Sequence, residues 1–203
     1  MVIASRSIAQ GFMLTGGPGL STLIGSAYPQ PLIGYNVGIR SELALTNVVW
    51  LSTGLYLERK GVSLAFECTN LAGQSTGVQS ASHDDFYYAS LPVTPGFAIG
   101  DRLKFLFEVG PYFAVLIRQQ DVHEACPGVP RRVYRGTSFF PRGDFGATAL
   151  TGCKFETSRM QFLLAIRSEL GLVRLSPWTG PRTFLATLIG GIGVPMLGKR
   201  GPE

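Results

Sequence analysis

Apolar and polar residues alternate with a period of two along most of the chain, which is the pattern of strands with two unlike faces. Over 33–42 the odd positions Ile33, Tyr35, Val37 and Ile39 are apolar, with Gly34, Asn36, Gly38, Arg40 and Glu42 between them. Beyond Thr46 the pattern restarts, with Val49, Leu51, Leu55 and Leu57 on one side and Ser52, Gly54, Tyr56, Glu58 and Lys60 on the other. Tyr87, Ala89, Leu91 and Val93 oppose Tyr88, Ser90, Pro92 and Thr94. Leu103, Phe105, Phe107 and Val109 oppose Arg102, Lys104, Glu108 and Gly110, and Phe113, Val115 and Ile117 continue that apolar face. Phe145, Ala147, Ala149 and Phe155 oppose Asp144, Gly146, Thr148, Gly152 and Lys154. Met160, Phe162, Leu164 and Ile166 oppose Gln161, Arg167 and Glu169; a helical stripe through Met160, Leu163, Leu164 and Leu170 competes there, and the strand is preferred. With weaker runs at each end, the expected strands are 7–15, 33–45, 48–61, 85–99, 102–118, 143–156, 159–171 and 183–197.

The connections alternate in length. Thr46-Asn47, Gly100-Asp101 and Thr157-Ser158 are tight turns, whereas 16–31, 62–84, 119–142 and 172–182 are long. Short turns at one end and long loops at the other are the habit of membrane barrels. The expected fold is all-β: an eight-stranded antiparallel up-and-down transmembrane β-barrel, with three short turns and four long loops, forming one domain over 1–203.

Composition sharpens this. Of 203 residues, 45% are hydrophobic and only 15% charged, and 26 are Gly, which excludes a disordered chain. The uncharged stretches 7–39 and 183–198 are broken by Gly and Pro, so neither makes a spanning helix. Residues 1–11 lack a basic start followed by a long apolar core, so no signal peptide is read there. The net charge of +5 is scattered, so nucleic acid is not an expected partner. Cys68, Cys126 and Cys153 are odd in number; a Cys68–Cys126 bridge and free thiols both remain open.

The mixed strand faces decide which side is wet. They carry Arg40, Glu42, Glu58, Lys60, Arg102, Lys104, Glu108, Asp144, Lys154, Arg167 and Glu169, of both signs, interspersed with Gly34, Gly38, Gly54, Gly110, Gly146 and Gly152. An eight-stranded barrel is just wide enough inside for side chains, and small Gly beside long paired ions suits that crowding. These residues are therefore expected to form a charge network that plugs the lumen, with the apolar faces turned to lipid.

Several segments resemble one family. Tyr87 to Val93 resembles its "Y-x-x-x-P" strand, Phe107 to Tyr112 its "G-P-Y" strand, and Asp144-Phe145-Gly146 with Thr151-Gly152-Cys153 its "D-F-G … G-x-G" strand. Arg167 to Leu172 resembles its "R-Y-x-x-G-L" segment and Leu57 to Gly61 its "Y-x-x-K-G" strand end. This is the outer membrane protein beta-barrel domain family of Bacteroidota-type bacteria, often labelled porin-family and similar in form to the small OmpA and OmpX barrels. The resemblance implies residence in the bacterial outer membrane and implies no reaction.

Other chemistry is weaker. Ser80, Ser82, His83, Asp84 and Asp85 hold the residue types of a hydrolase triad, but adjacency in sequence is not triad geometry. His123, Glu124 and Cys126 form a lone metal-type trio. Gly190-Gly191-Ile192-Gly193 and Gly16-Gly17-Pro18-Gly19 lack the partners of nucleotide-binding loops, so no cofactor is expected. Arg131, Arg132 and Arg135, with Tyr134 among them, form a basic cluster suited to lipopolysaccharide phosphates or another anion. Tyr28, Trp50, Tyr56, Tyr112 and Trp178 are candidates for an interfacial girdle, with lumen packing an equal reading for Trp50 and Tyr56. The expected role is structural, adhesive or surface-interacting, in a monomer whose partners are outer-membrane lipid, lipopolysaccharide and a surface partner. A small channel, a lipid-modifying enzyme and a soluble lipocalin-like ligand carrier are the alternatives.

Overall fold

A computed structural model describes residues 10–25, 30–46, 48–70, 72–100, 103–136, 141–157, 159–175 and 180–195. Its strands are β1 (Gln10–Ile24), β2 (Gln30–Ala44), β3 (Val49–Thr69), β4 (Ser75–Ile99), β5 (Leu103–His123), β6 (Arg132–Arg135), β7 (Gly143–Glu156), β8 (Gln161–Gly171) and β9 (Arg182–Pro195). Each of the eight long strands pairs antiparallel with its neighbours in the ring β1-β2-β3-β4-β5-β7-β8-β9, and β9 returns to β1. Closure leaves no long strand edge and satisfies the backbone internally, the condition for crossing hydrocarbon with strands. The short β6 pairs only with the far end of β5. At the tight ends, the Thr46 hydroxyl accepts from Val49 N at 2.9 Å and the Thr157 hydroxyl from Met160 N at 2.9 Å.

The two faces are inverted relative to a soluble barrel. Phe105 and Leu55 are 61% exposed and Ile166 53%, whereas Arg40 is 3% and Glu169 2% exposed. The soluble lipocalin-like alternative is overturned by this, because its apolar faces would meet in a dry centre. On β4 the apolar outer band runs from Ala89 to Ile99, with Leu91 and Phe97 exposed between them. Those ten residue steps span roughly 25 Å along the axis at about 3.3 Å per residue and a tilt near 40°, the height of a lipid-facing band.

The long connections are mostly strand. Much of the expected loop 16–31 is strand, because β1 continues through Gly16, Gly17, Pro18 and Gly19 to Ile24 and β2 begins at Gln30. Pro18 lies on the outward face opposite Tyr35, and the pairing of β1 with β9 resumes at Gly19↔Thr187 in the same register. A Cβ on Gly17 would stand 1.8 Å from the Leu188 carbonyl oxygen, so these glycines admit close strand approach instead of making a turn. The expected loop 62–84 is likewise strand: β3 and β4 run on as a hairpin to Thr69↔Ser75. On β4 its residues Gln79 to Asp85 are mostly polar on both faces, while the alternation Val62, Leu64, Phe66 and Cys68 on β3 went unread. Expected strand residues 7–9 and 196–197 lie outside the described residues, as do Tyr28, Asn47, Asp101, Arg102, Ser158 and Trp178.

Candidate functional site

The lumen holds two ionic layers with apolar side chains packed among them. Nearest the tight turns, Arg40 donates to Glu108 Oε2 at 3.0 Å and pairs with Glu42 at 2.8 Å. Lys154 bridges Glu42 at 2.6 Å and Glu156 at 2.9 Å, and Lys104 meets Glu156 at 2.5 Å. Three cations thus face three carboxylates. Glu108 also accepts from the Trp50 indole N–H at 2.7 Å and the Thr94 hydroxyl at 3.0 Å. Gly96 makes this possible: a Cβ there would lie 2.5 Å from Glu108 Cγ and 2.9 Å from the indole.

The second layer sits midway. Lys60 Nζ lies 2.8 Å from Glu169 and 3.2 Å from Glu58, and its ammonium stands 4.5 Å from the Tyr112 ring centroid. Arg167 pairs with Glu169 and, at 3.4 Å, with Glu58, while its guanidinium lies 4.2 Å over Tyr56. Glu58 also accepts from Asn36 at 2.9 Å and Ser90 at 2.7 Å. Asp144 accepts from the Tyr112 hydroxyl at 2.9 Å and the Thr183 hydroxyl at 3.1 Å. Apolar side chains pack beside these layers. Met13, Trp50, Leu106, Leu150, Leu163 and Ile189 cluster toward the turns. Leu23, Phe86, Leu116 and Leu175 cluster at the other end, where Leu175 comes from the segment after β8.

The structure therefore brings together ten of the expected lumen residues; Arg102 is outside the described residues. Sequence reasoning missed Glu156, which ends the alternation of β7 and anchors two lysines. Tyr112, a girdle candidate in the sequence, is instead fully buried in the lumen, and Trp50 and Tyr56 are buried there too. The even-numbered alternation of β5 was the signal that places it there.

The other site lies beyond the lipid-facing band, on the side of the long connections. There β3, β4, β5 and β6 continue as a four-stranded sheet, roughly 20 Å past Lys60 at about 3.3 Å per residue. The segment after β5 folds back across its concave face and is tied by a disulfide from Cys126 to Cys68. Ser80 reinforces it by donating to the Glu124 and Ala125 carbonyls at 3.3 Å. Cys126 and Val129 bracket a tight turn, with Pro127 and then Gly128 at φ +79°, the conformation that favours glycine. Beneath it lies a cavity of about 400 Å³ lined by Phe66, Cys68, His123, Pro130, Arg132 and Tyr134 among others. The Asp84 carboxyl, directly opposite Asp121, is held above its ordinary range by burial and then by the Asp121 charge.

This placement dissolves two expected constellations. Strand alternation turns His83 and Asp85 to one face and Ser80, Ser82 and Asp84 to the other, so no Ser–His–Asp triad assembles there. Cys126 is consumed by the disulfide, and among the described residues no three ligand-type side chains converge on a metal position. The basic cluster is also divided. Arg132 pairs with His123 and faces the cavity, whereas Arg135, opposite Gln120, lies on the outer face; Arg131 pairs with Glu124 at 3.3 Å.

An inside-out closed ring with ions in the lumen and an apolar belt outside is an outer-membrane-type β-barrel. The chain belongs to the Outer membrane protein beta-barrel domain family, whose model matches residues 10–176. It is a protein of the bacterial outer membrane, where barrels of this kind turn their long connections to the cell exterior. Among solved structures it is similar to Neisserial surface protein A, at 11% identity and a TM-score of 0.52, over 90% of this chain and 96% of that one. The N-terminal barrel of Pseudomonas aeruginosa OprF matches at 11% identity and 0.46, over 93% and 97%. The attachment invasion locus protein Ail of Yersinia pestis, solved with the heparin analogue sucrose octasulfate, matches at 13% identity and 0.42, over 93% and 99%. No curated protein matches the chain.

Proposed function

We propose that this protein is a closed, monomeric barrel whose work is done by its extracellular platform, in a structural and adhesive role at the cell surface. The observation that carries this reading is the division of labour along the strands. Within the membrane their inner faces are used up in paired ions, and beyond it four strands continue as a sheet stapled by Cys68–Cys126. A scaffold pinned by a disulfide presents side chains at low entropic cost. Arg131 and Arg132 beside Tyr134 offer guanidinium forks and an aromatic face to phosphate or sulfate groups of surface saccharides, lipopolysaccharide included. Nothing in this reading calls for a reaction or a cofactor.

Two measurements test it. In planar bilayers the protein gives no steady conductance; regular ion-selective steps would make it a channel and overturn the plugged lumen. Proteoliposomes carrying it capture dextran sulfate, and Arg131→Gln with Arg132→Gln weakens capture at least tenfold. Equal capture by that variant overturns the platform as the anion contact.

A further inference from the structure

A row of alternating tyrosine and arginine circles part of the outer wall where the lipid-facing band ends. Tyr35, Arg59, Tyr87 and Arg118 are successive cross-strand partners on β2, β3, β4 and β5. All four belong to the outward faces, one step above the apolar run that begins at Ala89. The next rung adds Asp85, Gln120 and Arg135. A β-bulge delivers Arg118 to this row. The register shifts between Tyr87 and Tyr88, so Leu116 is buried in the lumen, Ile117 faces outward and Arg118 falls opposite Tyr87. Without the extra residue Arg118 would turn inward; bulges of this kind re-aim a side chain.

The charges do not cancel. Arg59 donates to Asp85 at 2.8 and 3.0 Å and to the Ile33 carbonyl at 3.2 Å, which fixes its guanidinium against the wall. Arg118 has only the neutral Gln120 side chain, whose oxygen accepts from it when the amide is turned toward it. No acceptor among the described residues holds Arg135. Three cations and one carboxylate leave a net charge of +2 on the outer wall at headgroup height. Tyrosine rings at that height sit with one end in the acyl region and the hydroxyl among headgroups.

We propose that this row is a binding site for the phosphorylated headgroup of an outer-leaflet glycolipid, with Arg118 and Arg135 as the phosphate-holding forks and Tyr35 and Tyr87 flanking the sugar. Arg59, neutralised by Asp85, positions the row. Planar guanidinium groups hold phosphate oxygens two at a time, and the low dielectric of the interface strengthens each bond. The site does not depend on the platform reading, because it uses the opposite face of the sheet from Arg132.

The test uses the full chain folded in detergent, with diphosphoryl lipid A as the probe and native mass spectrometry as the readout. The expected result is one retained lipid A per barrel, with Arg118→Gln plus Arg135→Gln lowering retention at least tenfold. Lipid A stripped of both phosphates is expected to be retained no better than by that variant. Heat-shifted gel mobility verifies that the variant is folded, and Arg131→Gln with Arg132→Gln, on the concave side, retains as the parent does. Equal retention by the Arg118/Arg135 variant, equal retention of the phosphate-free lipid, or complete displacement by millimolar inorganic phosphate overturns the proposal. Failure of the parent protein itself to capture dextran sulfate, with its lipid A retention intact, counts against the platform alone.

Discussion

Replacing Lys60 with Met leaves Glu58 and Glu169 sharing one cation, Arg167, inside the membrane. Lys60 stands 2.8 Å from Glu169 and 3.2 Å from Glu58, and both its side chain and theirs are essentially sealed from water. At an effective dielectric of about 20 those contacts amount to about 6 and about 5 kcal/mol of gross attraction. Burial of the ammonium itself opposes this by several kcal/mol. The net loss is therefore far below the gross sum, and removal of one partner from a buried pair costs about 3–5 kcal/mol because the other charge is stranded. That corresponds to roughly two to four powers of ten in the folding equilibrium. The assay is urea unfolding in phosphatidylcholine vesicles, followed by tryptophan fluorescence and heat-shifted gel mobility. Lys60→Met is expected to lower the midpoint strongly, and adding Glu169→Gln to recover most of the loss by removing the stranded carboxylate. A single variant as stable as the parent, or a double variant worse than the sum of its parts, refutes the strut argument.

Three further outcomes follow from the geometry. Cys68→Ser with Cys126→Ser opens a bridge closing 58 positions, an effect of about 4 kcal/mol at most by chain entropy; amide exchange should quicken in 62–69 and 119–135 while the barrel strands and heat-shifted mobility stay unchanged. The raised Asp84 carboxyl means that the folded platform binds a proton more tightly than the unfolded chain, so platform stability falls as pH rises through the ordinary carboxylate range and above it; Asp84→Asn should slow exchange of 80–85 at pH 7, with the difference vanishing in acid, and an equal gain at both pH values would count against it. Cys153 is the free thiol among the described residues and lies between the exposed Phe105 and Leu164; a fluorophore on it should be quenched by brominated acyl chains and untouched by aqueous iodide, the reverse pattern placing that face away from lipid.

The wall of the barrel was legible because alternation is a local property. Ile33, Tyr35, Val37 and Ile39 announce their face without reference to any other strand, and the ions of the lumen follow from the opposite face. What escaped was whatever depends on pairing. Gly16 to Gly19 read as the start of a long loop because glycine and proline punctuate chains, yet strands on both sides hold that stretch extended. The β4 half of the platform is polar on both faces, and its register and disulfide leave no hydrophobic period; the alternation Val62, Leu64, Phe66 and Cys68 on β3 was legible and passed over. The split of Arg132 from Arg135 needed a strand of four residues that carried no signal of its own. Arg118 reached the outer wall only through a bulge, a one-residue shift that alternation alone would have placed on the wrong side.

The ties that cross the lumen span great distances along the chain: Arg40 to Glu108 is 68 positions and Lys154 to Glu42 is 112. These two form only as the wall curls round, whereas pairs within one strand, such as Arg40–Glu42 and Arg167–Glu169, are available earlier. A half-built ring would expose lone ions to the bilayer, which leaves little room for stable intermediates. Contacts of such long sequence separation slow folding, and these keystones are set late.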